Sequence, residues 1–277
     1  MKTKLLSWML ICGVALLLAV PTQAATARSV GRIVAAKVQG TVTALNKADN
    51  SRRQLHNNDT LSEGYIVTTG AKSSVVLLFA NGAAVNLGED SILGIDEFLM
   101  DPFNGKSSVS EAKEEPSTSV TKLTLSRGEF VGNVKHLHRE NGSTFEINTP
   151  VGAAGIRGTT FRIVFRPDSS GKMGYSLGTS EGVVLLTGIN GTQSPVPAGK
   201  EVGASFDVAP GTDNMVPGSL QIAGVTDMSA ETQAAIAKAV SEILEANAKA
   251  LIDANAPGNA PGAIAPPSQT TPGDGKG

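Results

Sequence analysis

Cysteine and tryptophan occur once each in the 277 residues, as Cys12 and Trp8, and histidine only three times. Both singletons fall in an apolar stretch, Leu5 to Val20, that follows Lys2 and Lys4 and gives way to Pro21 and small residues. That is the layout of an export signal, and the stretch is short for a membrane span. Ile11 stands before Cys12, where a lipid-anchor signal needs a small residue. The sequence therefore predicts a signal over residues 1–27, cleaved after Ala24 or Ala27, and no lipid. The mature chain would then hold no disulfide, no thiol nucleophile and no thiolate metal ligand. Losing Lys2 and Lys4 takes the formal charge from −2 to −4, which argues against a nucleic-acid surface. No later apolar run approaches a span, so no transmembrane helix is expected in the mature chain, and a periplasmic or extracellular location is. Aromatics are scarce too: eight Phe, two Tyr and the one Trp. A sugar-binding platform relies on aromatic faces, so this composition weakens a glycan-binding reading.

Between Arg28 and Val208 short apolar-alternating runs are separated by glycine-centred turns, with no helical period, which predicts a mainly β domain. In "STFEINTP" (143–150), Phe145 and Ile147 oppose Glu146 and Asn148; in "TFRIVF" (160–165), Phe161, Ile163 and Phe165 oppose Arg162 and Arg166. One face is core and the other wet. "VVLLF" (75–79) is apolar on both faces, as in a strand covered on both sides, and "ANG" (80–82) supplies hairpin chemistry after it. Residues 101–120 are polar and contain two prolines, the mark of a surface excursion. Residues 209–228 are a loose connector. Over 229–256 the period changes to helical: Ile236, Val240, Ile243, Leu244, Leu251 and Ile252 form one stripe, with Ser229 or Asp227 as cap. That helix either docks on its own β domain or is offered to a partner or a second copy. Residues 257–277 have the composition of a disordered tail.

Few residues suggest chemistry. "GTSEG" (178–182) matches a serine-hydrolase nucleophile elbow, but that elbow needs a helix after the serine, and Ser180 is followed by "GVVLLTG", a strand. His136 and His138 would share a strand face, yet no third ligand lies near them in sequence; His56 stands apart. The acidic segments 47–51 and 88–97 lack the ligand spacing of a calcium loop. No catalytic residue, metal site or cofactor is predicted. In "NTPVGAAGIRGTTFRIVF" (148–165), Gly152, Gly155 and Gly158 are spaced three apart. A phosphate loop would need a helix after the glycines. A strand follows instead, so the stretch reads as a tight corner: Pro150 ends one strand, the glycines permit positive φ, and the next strand begins at Thr159 or Thr160. Arg157 is placed to clamp the turn carbonyls with its planar fork.

These residues resemble the signature of the FecR domain, a threonine-proline, a glycine and an arginine-glycine-threonine: Thr149, Pro150, Gly152, Gly155, Arg157, Gly158, Thr159 and, opening the strand after it, Phe161. "VQGTV" (38–42), the segment 55–96, "SEGVVLLTG" and "SPVPAGKEV" are similar to its flanking strands, so the resemblance covers about 37–203. It implies a solenoid-like or sandwich-like β domain, here over 28–208, working outside the cytoplasm through contacts with an envelope protein. The family's namesakes carry a cytoplasmic anti-sigma domain and a membrane helix ahead of the module. "MKTK" runs straight into the apolar stretch, a departure from that plan. The expectation is a non-enzymatic interaction module in envelope signalling, with helix 229–256 available for self-association. The alternatives are a structural or glycan-binding surface protein and, behind it, a hydrolase built on Ser180.

Overall fold

The computed structural model describes residues 28–103, 113–168, 170–209 and 214–249. The expected signal, the tail and the last residues of the expected helix lie outside the described residues. The first half contains β1 (Ser29–Val30), β2 (Ile33–Gln39), β3 (Val42–Asn46), β4 (Arg52–Gln54), β5 (Asp59–Leu61), β6 (Tyr65–Thr69), β7 (Ser74–Phe79), β8 (Ala84–Leu87), β9 (Ile92–Met100) and the long β10 (Ser119–Asn133). The second contains β11 (Thr144–Thr149), β12 (Gly152–Ile156), β13 (Thr160–Pro167), β14 (Met173–Glu181), β15 (Val183–Gly188), β16 (Gln193–Pro197) and β17 (Lys200–Phe206). Two short strands, β18 (Gln221–Ile222) and β19 (Thr226–Asp227), and helix α1 (Ala230–Lys249) follow.

The strands form two sheets packed face to face, so the architecture is a sandwich rather than a solenoid. Sheet A runs β4-β3-β6-β9-β10-β11-β12-β15-β16, with β1 beside β9. Sheet B runs β5-β2-β7-β8-β10-β13-β14-β17, with β18 and β19 on its edge. β10 belongs to both: residues up to Arg127 pair in sheet A and Gly128 to Asn133 pair in sheet B. Gly128 makes the change of sheet, with φ +105 and its Cα against Ser91 so that a Cβ would collide with that residue. The sheets share β10 but do not close into a barrel, because each ends on strands with a free edge.

Alternation fills the space between the sheets. Phe79 meets Phe98 edge-on at 5.1 Å, Phe130 stacks on Phe161 at 5.8 Å, and Phe165 lies 5.9 Å from Phe206. Seven of the eight phenylalanines are fully buried, so the scarce aromatics form the core and none of the described ones is fully exposed. The doubly apolar β7 is covered on both faces: Val75, Leu77 and Phe79 face the sandwich core, while Val76 and Leu78 pack with Ala84 under Ile243 and Ala246 of α1.

α1 thus docks on the outer face of sheet B. Ser229 caps it, its Oγ accepting the Thr232 N–H at 3.2 Å. The contact stripe is Thr232, Ile236, Ala239, Ile243 and Ala246, all buried. The expected stripe needs correction, because Leu244 is 63% exposed and Val240 only half-buried. Alanine carries little hydrophobic signal, yet Ala239 and Ala246 are what let the helix lie close to the sheet. Polar contacts add to the seam: Lys37 Nζ–Glu245 Oε2 at 3.0 Å and Asn86 Nδ2 donating to Glu242 Oε2 at 2.7 Å.

Two segments expected to be loose are stitched down. In the 209–228 connector, β18 and β19 pair with β17. The return of the 101–120 excursion buries Glu115, whose carboxylate accepts the Ser119 hydroxyl and the His138 backbone N–H, each at 2.6 Å. Asn81 Nδ2 donates to Ser119 Oγ at 3.0 Å, so the "ANG" turn joins this buried network.

Candidate partner-binding corner

The glycine-rich stretch is a hairpin followed by a change of sheet. β11 and β12 pair in sheet A through the turn at Pro150–Val151, and Thr149 Oγ1 donates to the Gly152 carbonyl at 2.9 Å. β12 then pairs with β15, and the chain crosses at Arg157–Thr159 to β13 in sheet B. The expectation of one corner from Pro150 to Thr159 is corrected: residues 152–156 are themselves a strand. Its Gly and Ala have low β propensity, so it is its two hydrogen-bonded neighbours that hold it extended.

The three glycines differ. Gly152 has φ +146, and a Cβ there would strike the Thr187 carbonyl oxygen and lie 2.9 Å from Gly188 Cα. Gly158 has φ +76 and would place a Cβ 2.9 Å from the His136 ring. Gly155 has no such demand; the nearest atom would be the Leu185 carbonyl at 3.7 Å. A fourth glycine completes the corner. Gly182 has φ +75, and its Cβ would come within 2.6 Å of Thr159 Cγ2 and 2.7 Å of the Gly158 carbonyl. It is the last residue of "GTSEG", so that motif's glycine serves the close approach of two backbones.

Thr159 is buried beneath Gly182, and its carbonyl accepts the Val134 N–H at 2.9 Å. Phe161 enters the core, with Gly132 leaving room for its ring. Arg157 departs from expectation. Its side chain is exposed and, among the described residues, makes no hydrogen bond or ion pair. The turn is held by tight glycine contacts and by the backbone bond at Thr159, without the Arg157 side chain.

At the start of β13 several polar groups pair with one another. Asn133 Nδ2 donates to Thr160 Oγ1 at 2.8 Å, and Thr160 Oγ1 donates to Glu181 Oε2 at 3.2 Å. Burial holds the Lys135 ammonium below its usual pKa, with Glu181 pulling the other way. Ser180 sits on β14 and gives its hydroxyl to the Thr160 carbonyl at 3.3 Å.

The other candidates are dispersed. His136 packs over Gly158, whereas His138 Nε2 lies 3.0 Å from the Glu115 carbonyl; they sit beyond the end of β10 rather than on it. His56 is exposed beside Asp59 at 3.8 Å. Among the described residues no three His, Cys, Asp or Glu side chains converge. The two acidic segments are joined instead, by Lys47 Nζ–Asp96 Oδ1 at 2.8 Å, with Thr124 Oγ1 donating to Asp96 Oδ2 at 2.6 Å. Burial opposes the Asp96 charge, but these hydrogen bonds outweigh it and hold its pKa below the usual carboxylate value.

The arrangement is that of a β module whose signature residues build backbone geometry. Residues 65–185 match the family described as FecR protein, a span that includes the whole corner from Thr149 to Gly182. The chain thus carries a FecR-type domain over this span. No curated protein matches the chain. Two crystal structures of a proposed anti-sigma factor from Parabacteroides distasonis ATCC 8503, at 2.50 and 1.65 Å, align with a TM-score of 0.41 at 11% identity. The alignments cover 61% of this chain and 62% and 63% of theirs, so the chain spans under two thirds of those proteins. Among the described residues no helix is long and apolar enough to cross a membrane.

Proposed function

We propose that this chain is a non-enzymatic FecR-type module that works by protein contact in envelope signalling, in the periplasm or outside the cell. The observation that carries the reading is the state of Arg157. It stands at the centre of the family motif, yet the fold does not use it: it is exposed and unpaired among the described residues, while Thr149, Thr159, Phe161 and two of the three glycines are consumed by the corner. A guanidinium held on a rigid corner is suited to pairing with a carboxylate of a partner. The placement of the described aromatics supports this reading over a glycan platform, since all are buried or half-buried.

The test is a photo-crosslinking residue at position 157, with one at the exposed Asn190 as control, in cell envelopes. A discrete adduct with one envelope protein, formed from 157 and not from 190, supports the proposal. Absence of any protein adduct from 157, or retention of the protein on purified peptidoglycan instead, overturns it. Loss of a hydrolytic activity in Ser180→Ala would overturn the non-enzymatic part.

A further inference from the structure

Three Asn-Gly dipeptides lie among the described residues, at 81–82, 141–142 and 190–191. Glycine puts no Cβ beside its own peptide nitrogen, so that nitrogen can approach the carboxamide carbon of the preceding asparagine and close a succinimide ring. Two of the three share one turn geometry. Gly82 and Gly191 have φ +85 and +79, and their N–H groups donate to the carbonyls of Phe79 and Gly188 at 2.9 and 2.8 Å. Asn81 Oδ1 accepts the Ala83 N–H at 3.1 Å, and Asn190 Oδ1 accepts the Thr192 N–H at 3.0 Å. That bond folds each carboxamide back over the peptide that follows it. It also places a backbone donor at the oxygen where negative charge develops when Cγ is attacked.

The surroundings of the two turns are opposite. Asn81 is 2% exposed, and its Nδ2 donates to Ser119 Oγ at 3.0 Å and Thr121 Oγ1 at 3.4 Å, so the leaving nitrogen is held and water is kept away. Asn190 and Gly191 are exposed, and Asn190 Nδ2 has no partner among the described residues. Apart from its chain neighbours, no atom lies within 4 Å of where a Gly191 Cβ would stand. Asn141 is exposed too, but among the described residues no backbone N–H donates to its carboxamide.

We propose that Asn190 is a modification site that converts itself to aspartate and isoaspartate, with water as its co-reactant. The Gly191 nitrogen gives its proton to solvent and bonds to Asn190 Cγ; the Cγ–Nδ2 bond breaks, and the nitrogen takes up protons and leaves as ammonia. Water then opens the succinimide, at Cγ to give aspartate or at the backbone carbonyl to give isoaspartate. Either product adds a negative charge at the tip of the β15–β16 hairpin. Isoaspartate also adds a methylene to the backbone two residues from Gly188, the partner of Gly152.

The experiment holds the folded mature protein in mildly alkaline buffer and follows all three dipeptides by peptide mass mapping, with an isoaspartate methyltransferase labelling the isomer. A parallel sample is kept unfolded in urea. In the folded protein Asn190 should convert ahead of Asn141, and Asn81 should lag Asn190 by about tenfold or more, because it reacts only through local opening. In urea the three rates should draw together. An intact Asn190 in the folded protein, an Asn81 or Asn141 that keeps pace with it, or the same spread of rates in urea would each overturn the proposal. Arg157 takes no part in this chemistry, so crosslinking at 157 and this conversion fail independently.

Discussion

Alanine at Gly152 and alanine at Gly155 should have opposite consequences, although the sequence presents the two glycines alike. At Gly152 the backbone is at φ +146, and the new methyl group would meet the Thr187 carbonyl and the Gly188 backbone, neither of which is a flexible side chain. Holding alanine in so unfavourable a conformation costs roughly 1–3 kcal/mol. Moving β12 off β15 to clear the methyl also weakens the ladder at the Gly152–Gly188 pair, at about 1 kcal/mol per hydrogen bond lost. The sum is about 2–4 kcal/mol, and for a domain of this size each kcal/mol moves Tm by roughly 2–4 °C. Gly152→Ala should therefore melt about 4–16 °C below wild type. At Gly155 the nearest atom to an added Cβ is 3.7 Å away, and the φ is not in the left-handed region. Glycine inside a strand is about 0.5–1 kcal/mol worse than alanine, so Gly155→Ala should be neutral or slightly stabilising. Urea and thermal unfolding of the two variants decide the matter. Equal losses would show that the glycines serve a common purpose and that the contact at Thr187 does not set the requirement at 152.

Arg157→Ala should leave Tm within about 2 °C of wild type, because an exposed side chain outside any bond contributes within about 0.5 kcal/mol; a large drop in a melting curve would restore the clamp. Ile243→Ala should cost about 2 kcal/mol and free the α1 amides to exchange while the sandwich stays protected, whereas Leu244→Ala, at an exposed position, should change neither in hydrogen-exchange measurements. Asp96 has a lowered folded-state pKa, so its contribution is present above the unfolded carboxylate pKa and lost as pH falls through the folded one. Being half-exposed, it is worth under about 1 kcal/mol. Wild type should exceed Asp96→Asn in urea midpoint near neutral pH, and the gap should close below about pH 4; a gap that widens in acid would refute the assignment.

Strand faces were legible wherever one side of the sheet is dry. Phe161, Ile163 and Phe165 alternate with Arg162 and Arg166 because the core lies on one side only, and β7 is apolar throughout because α1 covers its other face. The corner was legible as a place where glycine is needed, and the match over 65–185 falls on it. Three things were not legible, each for a physical reason. β12 is made of Gly and Ala, whose local preference says nothing about a strand that two neighbours impose. The α1 stripe depends on alanines, which carry almost no hydrophobic signal. Gly182 and the Glu115–Ser119–Asn81 network depend on residues far apart in the chain, brought together only by the sandwich.

The free edges of the sandwich bear on how a partner attaches. Strand addition needs a row of outward N–H and C=O groups. On β16, Pro195 and Pro197 stand opposite Leu185 and Val183. Having no N–H to give β15, they occupy the outward positions, so the edge has lost two of its donors. At the other end, Arg53 of β4 reaches across the two sheets, donating to Asp59 Oδ2 at 2.9 Å and to the Thr60 carbonyl at 2.8 Å, so its guanidinium occupies an acceptor of β5. Sheet B ends on two-residue strands, too short to template a partner strand. With the edges closed in these ways, the proposed contact is made through side chains displayed by rigid backbone rather than by strand addition. The exposed guanidinium of Arg157 has that form, and under the proposed reading it favours a partner that brings carboxylates.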